Sequence, residues 1–312
     1  MEVRGVGMRE EVELLTGPHE LVPHFGEQLI RVRPKRIHSR GLEDRPLRRS
    51  SRRRSSDGTP LVGSRAMTAS EPTILATSGG HRPGDRTRVT FDALVHHAVE
   101  LAEVRGRRPR VMYVGTAIGD AEHFTTRMTE AARVAGFDLT PLHLFPMPNL
   151  EDIEASVLDQ DVVWVMGGSA ANLLAVWRVH GLDAVFRRAW QAGVVLSGVS
   201  AGSLCWFRGG TTDSFGPELR PLTDGLGYLP YGNGVHYDSD AGRRPLVHRL
   251  VADGTLPDTH CTDDGVGLVY RGTRLTEAVT EIPGKGAYLV RREGDTAVEE
   301  RIEPRLLPSP VG

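Results

Sequence analysis

At 312 residues, 39% of them hydrophobic and 25% charged, with a formal net charge of −2, the chain has the balance of an ordinary globular protein and length for one large domain or two small ones. No apolar run approaches the ~20 residues of a membrane-spanning helix, and the opening Met1-Glu2-Val3-Arg4 leads into polar sequence where a secretory signal would be apolar. Its two cysteines, Cys205 and Cys261, make neither a disulfide framework nor a metal-ligand cluster, so a reduced, cytoplasmic setting is expected.

Residues 1–66 differ from the rest. Lys and Arg far outnumber acids between Arg31 and Arg65, and the run from Arg48 to Ser56 has no apolar periodicity. Such a segment buries too little surface to offset its ordering entropy, which predicts disorder. One reading is a tail for nucleic acid or an anionic surface. The duller reading is a leader without structural consequence, or an artefact of start-codon choice. A native protein whose mass begins near Met67 would fit the latter, and a mass including Met1 would exclude it. Residues 67–312 read as one folded domain, for which no nucleic-acid or membrane partner is expected.

From Thr73 the pattern becomes regular. Apolar strands are predicted at Thr73–Ser78, Arg110–Gly115, Asp138–Phe145, Asp161–Met166 and Gly193–Ser197. Helices are predicted between them, at Phe91–Val104, His123–Ala135, Asn149–Leu158, Ala171–Val179 and Leu182–Gln191. Strands alternating with helices argue for a mostly parallel sheet with helices on both faces. Such sheets place their sites beyond the carboxyl ends of the strands, where Ser78-Gly79-Gly80, Gly115-Thr116, Gly167-Gly168-Ser169 and Ser200 fall. Farther on, Gly209–Pro217 reads as a polar loop and Arg243–Asp253 as a helix. Arg274–Val298 reads as a small antiparallel part.

Gly198-Val199-Ser200-Ala201-Gly202 joins a buried strand to a stretch, Ser203–Phe207, that reads as the start of a buried helix. A G-x-S-x-G at such a junction is a nucleophile elbow. The turn pushes the Ser200 hydroxyl clear of the sheet edge and aims the Ala201 N–H at an oxyanion formed there. The plainer reading is a tight turn with a serine capping the helix. A second oxyanion donor is expected from Gly167-Gly168, where the missing side chains admit a substrate close to the backbone.

A serine hydroxyl needs a base, and the base needs an acid to orient it. The downstream histidines are His236, His248 and His260. His236 sits at a strand end or loop, His248 within a predicted helix, and His260 before a strand, so His236 is favoured as base. The orienting acid could be Asp213, Asp238, Asp263 or Asp264, and spacing does not choose among them.

These residues carry a resemblance. Val165-Met166-Gly167-Gly168-Ser169 followed by Asn172-Leu173-Leu174, then the elbow, then Thr211-Thr212-Asp213, then Asn233-Gly234-Val235-His236-Tyr237 resemble the peptidase E family of serine peptidases, which includes aspartyl dipeptidase and cyanophycinase. The match runs over roughly residues 71 to 275. It implies a flavodoxin-like α/β fold related to class I glutamine amidotransferases, with serine in place of their cysteine. It implies Ser200 as nucleophile, His236 as base, and Gly168 and Ala201 as oxyanion donors. The third triad member falls just after the Thr-Thr pair, at Asp213 or Ser214, and Asp213 is chosen because only it carries charge. Asp264 fits a later acidic position of the family pattern. Arg243, with Arg244 beside it, matches the arginine that binds a substrate aspartate, and a guanidinium suits bidentate carboxylate binding. Alternatively the pair begins a surface helix. Met166 and Ser169 depart from the family's oxyanion loop, which usually has a third glycine and an asparagine there.

The resemblance implies a serine exopeptidase acting on short peptides, Asp-Xaa dipeptides among them, without metal or cofactor; a monomer or homodimer is expected, and the sequence does not choose between them. A cyanophycinase-like hydrolase of β-aspartyl-arginine is a variant of the same chemistry. An α/β-hydrolase esterase is less consistent with so short an interval between Ser200 and His236. A flavodoxin-like binding or scaffold protein with an idle elbow is the non-enzymatic alternative, and a fluorophosphonate probe that fails to label Ser200 would favour it.

Overall fold

The structure is a computed structural model and describes residues 69–310. The Arg-rich segment and its boundary after residue 66 lie outside the described residues. The described chain opens with strands β1 (Thr73–Thr77), β2 (His81–Arg82) and β3 (Thr90–Phe91) and helix α1 (Ala93–Leu101). Next come β4 (Arg110–Val114), α2 (Glu122–Ala135), β5 (Asp138–Leu142), α3 (Ile153–Leu158) and β6 (Val162–Val165). Helices α4 (Ala170–Val179) and α5 (Leu182–Gln191) lead to β7 (Val195–Val199) and the short α6 (Ala201–Leu204). The remainder is β8 (Phe207–Thr212), β9 (Arg220–Leu222), β10 (Leu229–Gly234), α7 (Arg243–Ala252), β11 (Thr259–Thr262) and β12 (Val266–Arg271). It closes with β13 (Arg274–Thr280), β14 (Ala287–Glu293), β15 (Thr296–Ile302) and β16 (Arg305–Leu306).

The large sheet has the order β16-β13-β12-β1-β7-β6-β4-β5. Strands β1, β7, β6, β4 and β5 run parallel, and β12 joins β1 antiparallel. The central strands are rich in Val because both faces are covered. Alternation along each strand divides the core. Met112, Val114, Val163 and Val165 pack on one face with Leu173, Leu174 and Trp177 of α4 and Phe186 of α5. Val111, Tyr113, Val162 and Trp164 pack on the other with Leu94 and Val95 of α1 and Met128 of α2. Asp92 caps α1, its Oδ1 accepting the N–H groups of Leu94 and Val95. This is a flavodoxin-like α/β fold.

The second sheet, ordered β15-β14-β11-β10-β8-β9, departs from the sequence reading. Ser203–Phe207 does not extend a helix, because α6 stops at Leu204 and Phe207 already belongs to β8. Gly209 and Gly210 lie inside β8, where a polar loop was expected. A Cβ on Gly209 would stand 2.2 Å from the Leu222 carbonyl oxygen, and one on Gly210 2.1 Å from that of Asn233. These glycines admit the flanking strands β9 and β10, and that close approach gives the strand a loop-like composition. The antiparallel strands expected at Arg274–Val298 are present but divided between the sheets: β13 pairs with β12 in the large sheet, and β14 pairs with β15 in the second.

Candidate active site

Ser200 follows β7 with φ 57° and ψ −114°, outside the regions ordinary residues occupy. Such a conformation costs about 1–3 kcal/mol and persists only where its surroundings over-determine it. Its N–H donates to the Thr77 carbonyl at 3.1 Å, and its own carbonyl accepts from Ser203 and Leu204 at 2.9 Å. Ala201 and Gly202 open α6, so their N–H groups have no partner within the helix.

The end of β6 lies against this turn. A Cβ on Gly167 would be 3.1 Å from that of Ser200. Gly168 has φ 139°, and a Cβ there would fall 2.4 Å from the Ala117 carbonyl oxygen, so the loop admits only glycine. Ser169 caps α4 by accepting from the Asn172 N–H at 3.2 Å. The Ser169 cap and the backbone that only glycine fits are consecutive in this loop.

His236 also has a positive φ, 54°. Its N–H donates to Ser78 Oγ at 3.1 Å, and that hydroxyl lies 2.7 Å from Thr262 Oγ1. Thr77 and Ser78 are consecutive at the carboxyl end of β1. One holds Ser200 and the other holds His236, so the two candidates share one rigid anchor. The His236 Nδ1 meets Asp264 Oδ1 at 2.5 Å, and both side chains remain partly open to solvent. With Nδ1 on the carboxylate, Nε2 is the nitrogen left for chemistry.

The acid beside His236 is thus Asp264, and Asp213 is not brought to it. Asp213 is exposed on the loop after β8, and its charge acts on the Arg243 guanidinium. Ser214, the other residue considered there, bonds to Thr212 Oγ1 at 2.7 Å and accepts from the Ala171 N–H at 3.3 Å. That loop braces the start of α4.

Arg243 is not an open guanidinium. It is 5% exposed, and its Nη1 donates to the Thr211 carbonyl at 2.8 Å and to Thr211 Oγ1 at 3.1 Å. Burial lowers its pKa, against the pull of Asp240 and Asp213. Its Nε has no partner. Arg244 pairs with Glu299 at 2.5 Å. His248 also bonds to Glu299, and His260 lies in β11 against the Tyr270 hydroxyl. His236 differs from both in combining a carboxylate on Nδ1 with a backbone bond to Ser78 after β1.

Sequence reasoning passed over the bracing roles of Thr77 and Ser78, although the strand-end Ser78-Gly79-Gly80 was visible. It also passed over Lys285, which bonds to Asp238, whose Oδ1 accepts the Asp264 N–H at 2.9 Å. Nothing local in the sequence marks that lysine. Among the described residues no group of three or more His, Cys, Asp or Glu is arranged to hold a metal ion.

The profile of Peptidase family S51 matches residues 74–278. The chain is 35% identical over 219 residues to the uncharacterized peptidase YgaJ of Bacillus subtilis, covering 70% of this chain and 91% of that protein. It is 28% identical over 137 residues to a probable alpha-aspartyl dipeptidase of Drosophila melanogaster, covering 43% of this chain and 55% of that one. In fold it is similar to a crystal structure of a peptidase from an acI-B1 Actinobacterium, with a TM-score of 0.54 at 17% identity, covering 77% of this chain and 97% of that one.

Proposed function

The chain belongs to peptidase family S51 and is a peptidase, and from that premise we propose that it works by a serine mechanism in which Ser200 attacks, His236 transfers the proton and Asp264 orients the base. The observation that carries this reading is the shared anchor. The strained Ser200 and the carboxylate-bound His236 hang from adjacent residues, Thr77 at the end of β1 and Ser78 just after it.

In this mechanism His236 Nε2 takes the Ser200 hydroxyl proton as Oγ bonds to the scissile carbonyl carbon. The N–H groups of Gly168 and Ala201 receive the oxyanion. The imidazolium, steadied by Asp264, gives its proton to the leaving amine as the C–N bond breaks. Water, deprotonated by the same imidazole, releases the acyl group and restores Ser200.

The substrates are short peptides, Asp-Xaa dipeptides among them. Two things support the acidic preference. One relative is named a probable alpha-aspartyl dipeptidase. The buried Arg243 also brings positive charge to the Thr211–Ser214 side of the site with its Nε unpartnered, and an unsatisfied buried donor calls for an explanation such as a ligand. Residues 67–312 form the catalytic unit in this proposal. Among the described residues no helix is long and apolar enough to cross a membrane.

The test is hydrolysis of a panel of α- and β-linked Asp-Xaa and neutral dipeptides by wild type and Ser200→Ala. Cleavage by wild type and its loss in a folded Ser200→Ala protein is the expected result. Retained turnover in that variant would end the serine mechanism. Equal rates on acidic and neutral dipeptides would end the aspartate preference alone.

A further inference from the structure

The segment after residue 278 lies beyond the family match, yet it reaches the loops that carry His236 and Asp264. Strand β14 pairs with β11, setting Ala287 opposite Thr262. Just before it, the Gly286 N–H donates to Asp263 Oδ2 at 2.8 Å and the Gly286 carbonyl accepts the Asp263 N–H at 3.0 Å. From β15, Glu299 takes the Tyr237 hydroxyl at 2.7 Å and the Arg244 guanidinium at 2.5 Å. The residue after His236 and the residue before Asp264 are both fastened to this C-terminal segment.

Resting on the serine-peptidase reading above, we infer that Lys285, in the turn before β14, is a positioning residue for the His236–Asp264 pair, acting through Asp238. Lys285 Nζ bonds to Asp238 Oδ2, and Asp238 Oδ1 accepts the Asp264 N–H. The chain of contacts runs from ammonium to carboxylate to the backbone of the acid that holds the base. Lys285 also brings positive charge to three carboxylates, Asp238, Asp263 and Asp264, and Arg301 of β15 acts on Asp263 as well. The bond to Asp238 raises the ammonium's pKa, and the charges of Asp263 and Asp264 add to it. Burial opposes ionisation of Asp238, but Lys285 and the Asp264 N–H hold its pKa below the usual carboxylate value.

Arg301 stands beside Gly286, on the Asp263 side of the cluster. Asp240, whose N–H donates to the His236 carbonyl, is paired with Arg243. Asp92 stands beside Gly79 behind the end of β1 and interacts with Glu281. From β1 and the elbow come Ser78 and Ser200, which stay neutral. Loss of Lys285 removes the cation bonded to Asp238, and the extra negative potential beside the imidazole favours its protonated form. The protonated base cannot accept the Ser200 proton, so the acid limb of reactivity moves to higher pH. Loss of the Asp238 charge acts with the opposite sign.

The experiment follows the rate of Ser200 labelling by a fluorophosphonate from pH 5 to 9 in the full chain. This readout does not depend on knowing the peptide. Lys285→Met is expected to shift the acid limb upward by about half a pH unit, labelling roughly threefold more slowly below the inflection. Lys285→Arg restores the wild-type limb, and Asp238→Asn, which keeps an oxygen for the Asp264 N–H, moves it downward. If Lys285→Met and Asp238→Asn both label with the wild-type pH profile, the inference is wrong. A loss in Lys285→Met that is uniform in pH and not rescued by arginine is equally against it and marks a merely structural role. A wild-type protein that labels nowhere in this range overturns the serine mechanism itself, a different outcome from either.

Discussion

Replacing Asp264 by Asn separates the two acids proposed for the site. In the structure the His236 Nδ1 to Asp264 Oδ1 distance is 2.5 Å, whereas Asp213 is exposed on the loop after β8. An imidazolium and a carboxylate with charge centres about 4 Å apart, half in solvent at an effective dielectric near ~40, attract by about 2 kcal/mol. That alone is a factor of about thirty in rate. Asparagine also presents an N–H₂ as readily as an oxygen to Nδ1, which favours the wrong tautomer and turns the base away. In a buried triad that exchange costs about 10⁴-fold. The partial exposure here tempers the charge component, so Asp264→Asn is expected to lose about 10²- to 10³-fold in kcat. KM should change little, because the acid touches no substrate. Asp213→Asn should stay within about threefold of wild type. The assay is steady-state hydrolysis of the best dipeptide of the panel, with circular dichroism to confirm folding. Should Asp213→Asn lose the hundredfold and Asp264→Asn keep its rate, the acid has been assigned to the wrong loop. The bond to Asp264 would then belong to a resting arrangement that catalysis does not use.

Two further outcomes follow from the same geometry. Gly168→Ala forces a Cβ to within 2.4 Å of the Ala117 carbonyl oxygen and 2.8 Å of Ile118 Cγ2 at φ 139°. It should cost about 1–3 kcal/mol of stability and about 10²- to 10³-fold in kcat as the oxyanion N–H is displaced. Melting curves and kcat measured together check this, and wild-type kcat in Gly168→Ala would remove Gly168 from the oxyanion site. His260 is buried and its pKa is lowered from 6.5 to about 4. The unfolded chain therefore binds a proton that the folded chain refuses between those values. The stability this group contributes is full above pH 6.5 and falls by about 3 kcal/mol on going to pH 4. Asp92 runs the other way: burial and the charge of Glu281 push its pKa up to about 7, so its contribution grows as pH falls from 7. The His260 effect is isolated as the difference between wild type and His260→Gln in urea unfolding across this range, and parallel stability curves for the two would contradict it.

Much of the fold was legible because its signals are local. The Val-rich strands β4, β6 and β7 lie between amphipathic helices, and α5 begins and ends at the predicted residues, Leu182 and Gln191. The elbow was legible for the same reason, since strand, glycines and serine are contiguous. The second sheet was not, because β8 carries glycines where neighbouring carbonyls come within 2.2 Å of a Cβ position. A glycine pair in sequence reads as freedom, and only the packing shows that it is an absence of room.

The acid beside His236 was out of reach for a different reason. Asp213, Asp238, Asp263 and Asp264 are equivalent in composition, and the choice among them is made by strand order. Antiparallel pairing of β12 with β1 sets Gly267 opposite Thr77. The N–H of Gly265 then donates to the Ser78 carbonyl at 3.0 Å. That pairing carries Asp264 to the strand end that already holds His236 through Ser78 Oγ. The loop bearing Asp213 instead leaves β8 in the other sheet and is fastened to α4 through Ser214. What joins base to nucleophile is thus neither acid but the Thr77-Ser78 step at the end of β1. A shift of one residue in the β1–β12 register would disconnect Asp264 from His236 while leaving every motif in the sequence intact.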